Sequence, residues 1–248
     1  MNVVFFFILG LIFGSFFNVV GMRLPLNKPF ANERSECPSC HQTLTWYELI
    51  PVVSFVLLGG KCRQCRKRIS VMYPVVELLT GCLFVLSYLQ FGIRLELAAS
   101  LLLVSMLTII LVSDISYMII PNKILLFFLP LFCLIRIIEP FDPWYSPIIG
   151  SLVGFVIIAI IIIVSRGGMG AGDMKLFAVL GVILGLNKVL LAFFLSCITG
   201  AMVGAVLLLF KVVERKQPVA FGPYIIIGTI LAYFYGDPIL DWYLSNIV

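Results

Sequence analysis

Two aspartates in this 248-residue chain, Asp114 and Asp173, occupy positions where a carboxylate could act in catalysis. Asp114 ends a long apolar run, and Asp173 follows a glycine-rich segment at 167–172. Two carboxylates brought close together share one proton, because two like charges in a low-dielectric site do not both ionise easily. The ionised partner can activate a water while the protonated one polarises a peptide carbonyl. That is the chemistry of an aspartyl protease.

Each aspartate by itself also has a simpler interpretation. Asp114 alone is more readily a polar residue at a helix boundary, where Ser, Asp and Asn are common. Asp173 could cap the following helix, because the helix dipole stabilises an acid at its start. Gly170 and Gly172 would let the backbone approach another segment closely. Lys175 could bias the pKa of the aspartate pair or reach lipid headgroups.

Four of the seven cysteines form two CxxC pairs in one polar loop, namely Cys37, Cys40, Cys62 and Cys65. Two such turns offer four thiolates that can close a tetrahedron around zinc. A redox pair and two disulfides are the alternatives, and stable disulfides are disfavoured if the loop faces the reducing cytosol. The spacing therefore predicts a structural zinc site. Because four sulfurs already fill the coordination sphere, His41 is expected to be a solvated loop residue.

The composition indicates what kind of protein must position these residues. Hydrophobic residues make up 62% of the chain, charged residues make up 12%, and the mean hydropathy is +1.15. Soluble domains are nearer 45–50% apolar and about 25% charged. One soluble core could not bury this much apolar surface, so the chain is expected to lie in a lipid bilayer.

The chain contains about eight apolar stretches that could span a membrane, with six as the minimum, since roughly 20 residues cross about 30 Å of hydrocarbon. The expected spans are 2–22, 71–91, 95–113, 123–139, 147–165, 174–187, 188–212 and 219–243. The first is expected to be a retained helix, because no basic region precedes it and no small-residue cleavage site follows it. The run at 49–58 is too short to span and predicts a re-entrant or interfacial piece.

The basic residues predict the orientation of these spans. With the 23–70 loop in the cytoplasm, 14 of the 17 Lys and Arg residues fall on that side. The opposite loop, 139–146, carries Glu139 and Asp142 and no basic residue. The net charge of +5 is therefore a topology signal, and no nucleic-acid partner is expected. Asp114 and Asp173 are then predicted to lie at the same cytoplasmic face, on separate helices.

At these residues the chain resembles the prepilin peptidases, or type IV leader peptidases, of the GxGD aspartyl protease group. Gly170-Ala171-Gly172-Asp173 fits the GxGD signature, and Asp114 with Ile120-Pro121-Asn122 fits the motif of the first aspartate. The double CxxC loop matches as well. Further matches are 14–20 (GSFFNVV), 23–25 (RLP), 73–79 (YPVVELL) and 221–223 (FGP). The resemblance covers nearly the whole chain, in order.

The resemblance implies a membrane endopeptidase that removes the short basic leader from prepilin or pseudopilin precursors. Asp114 and Asp173 would be its catalytic pair, supported by the loop residues Gly170, Gly172 and Lys175. Many proteins of this family with the cysteine loop also methylate the newly exposed N-terminal residue, often phenylalanine, using S-adenosylmethionine. The substrates could serve pili, secretion or DNA uptake.

Three residues are candidates for methyl transfer. Gly60 and Lys61 match positions that the resemblance ties to this activity. Glu77 lies inside the second expected span, where an acid is costly and usually functional. It could meet the basic leader, the cofactor or an arginine, or else make a structural hydrogen bond to a neighbouring helix. Asn18, inside the first span, is expected to join two helices by a hydrogen bond.

The sequence thus predicts an all-α, polytopic transmembrane bundle with a cytoplasmic zinc-stabilised loop domain. The expected divisions are a first helix at 1–22, the zinc loop at 23–70 and a peptidase core at 71–248. The expected location is the bacterial cytoplasmic membrane, with the active site facing the cytoplasm. Two rival functions remain: a small ion-coupled transporter that uses the two aspartates, and a zinc-loop membrane scaffold without catalysis.

Overall fold

The computed structural model describes residues 1–29, 34–165, 168–210 and 220–247. In these ranges the chain is helical, with isolated β-bridges in the cysteine loop and no strand. The helices are α1 Asn2–Arg23, α2 Val53–Leu57, α3 Met72–Phe91, α4 Leu95–Tyr117, α5 Asn122–Ile138, α6 Ser146–Val164, α7 Ala171–Leu209 and α8 Gly222–Ile247. Short 3-10 helices lie at Leu24–Leu26 and Trp46–Leu49. Residues 30–33, Arg166, Gly167 and 211–219, with Lys211, Arg215 and Lys216, lie outside the described residues.

The expected all-helical membrane architecture is confirmed. Within the described ranges, six helices are long and apolar enough to cross a bilayer: α1, α3, α4, α6, α7 and α8. The fourth expected span is α5, which has 17 residues and contains Pro130. The 49–58 run forms only the five-residue α2, as its length predicted. Val56 and Leu57 of α2 expose most of their side chains, which suits an interfacial position.

One expected boundary is wrong, because the break between the sixth and seventh spans is at Gly185 rather than at 187–188. The α7 helix runs from Ala171 to Leu209 and is interrupted where Gly185 adopts φ 73°, ψ −179°. Such a φ is open to glycine and strained for other residues. The break frees the carbonyl of Ile183 and the N–H of Leu186 from the helical hydrogen-bond ladder.

Two side chains from outside α7 bond the groups freed by this break. The buried Arg136 guanidinium donates to the Ile183 carbonyl oxygen from Nε at 3.2 Å and from Nη2 at 2.8 Å. The Ser146 hydroxyl oxygen accepts from the Leu186 N–H at 3.0 Å. Since a bilayer core offers no water to bond a free backbone group, these contacts stabilise the break.

Contacts divide the chain into two compact units, Met1–Ser116 and Tyr117–Val248. In the first unit, α1 packs on α3 through glycines. A Cβ on Gly10 would lie 2.7 Å from the Gly81 Cα, and one on Gly14 would lie 2.8 Å from the Glu77 Cα. Small residues of this kind let membrane helices approach closely. In the second unit, α6 and α7 pack by the same means at Gly150 and Gly181.

Candidate active site and metal centre

Asp173 is the third residue of α7 and is 7% exposed. Its Oδ2 accepts a hydrogen bond from the Gly170 N–H at 3.0 Å, and its own N–H donates to the Gly170 carbonyl at 3.1 Å. Gly170 is the residue before the helix, so this reciprocal pair caps the start of α7. A buried carboxylate is therefore held in a defined place at the positive end of a helix dipole.

The start of α7 contacts the segment that follows α4. A Cβ on Gly172 would lie 3.0 Å from the Ile120 Cβ, so only glycine fits there without a shift. The Lys175 Nζ donates to the Asn122 Oδ1 at 3.1 Å. Both contacts join the Ile120-Pro121-Asn122 motif to the glycine-aspartate motif inside the second unit. Lys175 was expected to bias the pKa of the aspartate pair or to reach lipid headgroups. Its bond to Asn122 was not among these expectations.

Asp114 lies near the end of α4 and is 5% exposed, beside the fully buried Ser113. Its helix packs against α1, where a Cβ on Gly21 would lie 2.7 Å from the Val112 Cβ. Asp114 belongs to the first unit and Asp173 to the second. The pairing of the two carboxylates therefore stays a prediction.

The four loop cysteines come together, as their spacing predicted. The Sγ atoms of Cys37, Cys40, Cys62 and Cys65 all lie within 4.8 Å of one another. Cys37 and Cys65 are 3.8 Å apart at sulfur, and Cys40 and Cys62 are 3.9 Å apart. A tetrahedral zinc with Zn–S bonds of about 2.3 Å requires sulfur separations of about 3.8 Å. All four are free thiols in the structure.

Two matching turns deliver the sulfurs. The Cys37 N–H donates to the Gln42 carbonyl at 3.0 Å, and the Cys62 N–H donates to the Lys67 carbonyl at 2.9 Å. In each turn the fourth residue after the first cysteine has a positive φ, 54° at His41 and 58° at Arg66. His41 is exposed, as expected for a loop residue outside the four-sulfur set.

The electrostatics of this cluster suit a cation. The N–H groups of Ser39 and Cys40 donate towards the Cys37 sulfur and lower the pKa of its thiol from 9.0 to about 6. A backbone N–H of Gln42 favours the Cys40 thiolate, but burial and the other three sulfurs outweigh it and raise the pKa of Cys40 to about 11. Because neighbouring thiolates repel one another, a divalent ion would stabilise all four together. The donor set therefore fits a metal ion.

Glu77 lies on α3 in a polar cluster with α1, and it is 7% exposed. Its Oε2 accepts from the Val52 N–H at 2.8 Å, and the Ser15 side chain also bonds it. Asn18 donates from Nδ2 to the Tyr73 carbonyl at 3.2 Å, which is the interhelical bond expected for it. Ser15 and Val52 were not foreseen, because hydropathy carries no signal for either contact.

The other two methyl-transfer candidates lie in the second cysteine turn. Gly60 has φ 67°, and a Cβ there would lie 2.9 Å from the Phe55 ring. Lys61 is exposed, and its backbone forms an isolated antiparallel β-bridge with the backbone of Arg68. Gly60 and Lys61 therefore lie directly before Cys62, with the Phe55 ring against Gly60.

The second unit also holds a cavity of about 990 Å³ between α5 and α6. Ala178 and Val182 of α7 form part of its lining, with Arg136 and Trp144 near the loop between α5 and α6. At about 100° per residue, Ala178 and Val182 point roughly 140–180° away from Asp173 around α7. The cavity therefore faces away from the candidate catalytic carboxylate.

Comparison with known families gives two matches that cover most of the chain. Residues 8–91 match the bacterial peptidase A24 N-terminal domain, and residues 101–205 match the type IV leader peptidase family. A protein of Bacillus subtilis (strain 168) is 47% identical over 239 residues, which is 96% of each chain. The chain belongs to the type IV leader peptidase family.

More distant members of the family align over a similar length. A protein of Aeromonas salmonicida (strain A449) is 33% identical over 98% of this chain and 94% of its own. One of Neisseria gonorrhoeae is 29% identical over 96% of this chain and 93% of its own. These two and the B. subtilis protein are each named prepilin leader peptidase/N-methyltransferase. No solved structure matches the chain.

The family matches divide the candidate residues into two groups. The N-terminal match contains the four cysteines and the methyl-transfer candidates Gly60, Lys61 and Glu77. The second match contains Asp114 and Asp173 with the glycine-rich loop. The expected family and the enzyme class are confirmed, and the ion-coupled transporter and the scaffold are not favoured.

Proposed function

We propose that the chain is a prepilin leader peptidase of the bacterial cytoplasmic membrane that also methylates the N-terminus it exposes. The main support is the alignment, over 96% of the chain, with a relative whose printed name gives both activities. The proposed substrates are prepilin-like precursors whose apolar helix lies in the bilayer with the leader on the cytoplasmic side. The positive-inside distribution of Lys and Arg supports this orientation.

In the proposed cleavage reaction, Asp114 and Asp173 share one proton. The ionised carboxylate removes a proton from a water molecule, which attacks the scissile carbonyl carbon. The protonated carboxylic acid donates a hydrogen bond to the carbonyl oxygen and stabilises the negative charge that develops there. The leaving amine then takes a proton from the pair. Both aspartates are buried at the ends of helices, which suits such a shared proton.

The cysteine loop would hold zinc as a structural ion through Cys37, Cys40, Cys62 and Cys65. Four thiolates and no open position are typical of structural zinc sites, whereas catalytic zinc keeps a position for water. The ion would join the two turns of the loop, which are separated by 21 residues in the sequence. It would thereby hold Gly60 and Lys61, next to Cys62, in a defined place.

Methyl transfer would use S-adenosylmethionine, which supplies an electrophilic methyl group on a sulfonium. The exposed Lys61 ammonium could bind its carboxylate, and Phe55 beneath Gly60 offers an apolar face. Methylation would follow cleavage, because the acceptor is the α-amino group that cleavage creates. We therefore propose two sites in one chain that act in sequence.

The test is the processing of a co-expressed prepilin by the wild type, Asp114→Asn and Asp173→Asn, with the product N-terminus read by mass spectrometry. The wild type should release the leader and give a product about 14 Da heavier than the unmodified one, the mass of one added methylene. Each Asn variant should insert normally and leave the precursor intact. Cleavage by both variants would remove the aspartyl mechanism, and a wild type that leaves the precursor intact would revive the scaffold interpretation.

A further inference from the structure

Ser15, Asn18 and Glu77 form a polar cluster at the contact between α1 and α3, near the end of the unit where α3 begins. Ser15 and Asn18 are three residues apart and share one face of α1. Tyr73 and Glu77 are four residues apart on α3. A Cβ on Gly14 would lie 2.8 Å from the Glu77 Cα, and Asn18, four residues after Gly14, bonds the Tyr73 carbonyl, so Asn18 and Glu77 lie about one helical turn apart along the contact between α1 and α3.

The cluster has more acceptors than donors. The Asn18 side chain is 1% exposed, and its Oδ1 is buried without a hydrogen-bond partner. Its Nδ2 faces a carbonyl, which can only accept, so the amide cannot be turned to satisfy both atoms. In the part of the chain that the structure describes, Glu77 receives only neutral donors and has no Lys or Arg partner. A buried carboxylate and an unbonded amide oxygen together suit a positively charged ligand that donates several hydrogen bonds.

The loop segment that bonds Glu77 has a strained backbone at Val52. Val52 donates its N–H to Glu77 from a backbone with φ 62° and ψ −49°, a conformation that β-branched residues rarely adopt. Strain of this kind persists where surrounding contacts hold it and is common at ligand sites. The segment carrying Val52 leads into α2, whose Val56 and Leu57 are exposed. A small displacement of this segment would open the carboxylate.

The depth of the cluster matches that of the proposed cleavage site in the same unit. Glu77 is the sixth residue of α3, and Asp114 is three residues before the end of α4. Only residues 92–94 join these two helices, so they run in opposite directions and both acids lie at the same end of the unit. An amine released near Asp114 would therefore be at the depth of Glu77.

We propose that Glu77 and Asn18 bind the N-terminal amino group of the cleaved product and thus form the amine-binding part of the methyl-transfer site. This rests on the proposed function. The ammonium donates hydrogen bonds to the Glu77 carboxylate and to the Asn18 Oδ1. It passes one proton to Glu77, which leaves a neutral amine with a free lone pair.

The neutral amine then takes the methyl group from the sulfonium of S-adenosylmethionine. A nitrogen–carbon bond forms and the carbon–sulfur bond breaks, with its electron pair left on sulfur as a neutral thioether. The methylated nitrogen is then a secondary ammonium, and Glu77 releases its proton to water when the product leaves. Charge and protons balance without any other reactant.

The experiment measures binding to the purified full chain with no methyl donor present. The probes are two fluorescent synthetic peptides that start with phenylalanine and continue with an apolar run, one with a free N-terminal amine and one acetylated. The wild type should bind the free amine at least about tenfold more tightly, the size expected of a charge-assisted hydrogen bond. In Glu77→Gln and in Asn18→Leu this preference should fall to about twofold or less.

The variants separate amine recognition from a structural role. Gln at position 77 can still accept the Val52 N–H, so the tether of the loop is retained while the charge is lost. Glu96→Gln, the same chemical change at the opposite end of the unit, is the matched control and should keep the preference. If Glu77 only tethers the loop, both peptides should weaken equally and the ratio should stay at the wild-type value, which would overturn the proposal.

Two further readouts complete the test. Glu77→Gln should bind S-adenosylmethionine with the wild-type Kd, and a loss of donor binding with the peptide preference intact would assign the acid to the donor instead. A wild type that cleaves and methylates while Glu77→Gln methylates at the same rate would overturn the amine site alone. A wild type that neither cleaves nor methylates would overturn the proposed function and this inference with it.

Discussion

Replacing Gly172 with alanine tests how far Asp173 depends on the close contact at the start of α7. The new Cβ would lie 3.0 Å from the Ile120 Cβ, 3.5 Å from its Cγ1 and 3.6 Å from its Cδ1. Carbon atoms in van der Waals contact are ordinarily about 3.5–4.0 Å apart. The Ile120 Cβ is fixed to the backbone, so rotation of its side chain cannot relieve the contact. The start of α7 or the Ile120 segment must therefore move by a few tenths of an ångström.

This displacement sets the expected size of the effect. Overpacking of a well-packed contact destabilises a protein by about 1–3 kcal/mol. Displacement of a catalytic group by about 1 Å can reduce a rate by about 10²-fold. Asp173 follows Gly172 directly and is held by Gly170, so it moves with the start of the helix. A shift of a few tenths of an ångström is a fraction of that distance, so we expect Gly172→Ala to lower kcat/KM for leader cleavage by about 3–10-fold.

Gly204→Ala is the matched control, since it makes the same change in the same helix. A Cβ on Gly204 meets no atom within 4 Å. Alanine there should stabilise the helix by up to about 1 kcal/mol, because glycine is a poor helix former. Cleavage of a purified prepilin in detergent, followed by gel and mass spectrometry, gives kcat/KM for both variants. A Gly172→Ala enzyme as fast as Gly204→Ala would refute the argument that this contact positions Asp173.

Three other variants give separable outcomes. Cys62→Ser should reduce bound zinc from about one per chain to nearly none by elemental analysis, whereas Cys82→Ser should leave it unchanged, and zinc-free but folded wild type would contradict the metal site. Arg136→Met should leave the carbonyl at the α7 break without its donor and lower the free energy of unfolding by about 2–4 kcal/mol, measured by thermal denaturation. Gly60→Ala forces a Cβ to 2.9 Å from the Phe55 ring at a positive φ. It should therefore abolish the 14 Da methyl gain while cleavage continues, and retained methylation would argue against a role for this turn.

The sequence allowed the membrane helices and the metal cluster to be predicted because both depend on local features. An apolar run of about 20 residues spans a bilayer whatever its neighbours are, so α1, α3 and α4 begin and end within a few residues of their expected bounds. A CxxC turn likewise places two sulfurs side by side through its own backbone hydrogen bonds. The family resemblance then indicated which residues of these elements act in the reaction.

The break in α7 and the surroundings of Glu77 could be learned only from the tertiary structure. Gly185 is one of several glycines in α7, and it breaks the helix because Arg136 and Ser146, some 40–50 residues earlier, bond the groups it frees. In the sequence Glu77 was equally an acid for a cation and an acid for a hydrogen bond, and the fold brings the Val52 N–H to it across 25 residues. Hydropathy indicates which segments of the chain lie in the lipid bilayer. The partners of a buried polar group depend on which distant segments pack against it, and only the folded chain determines that.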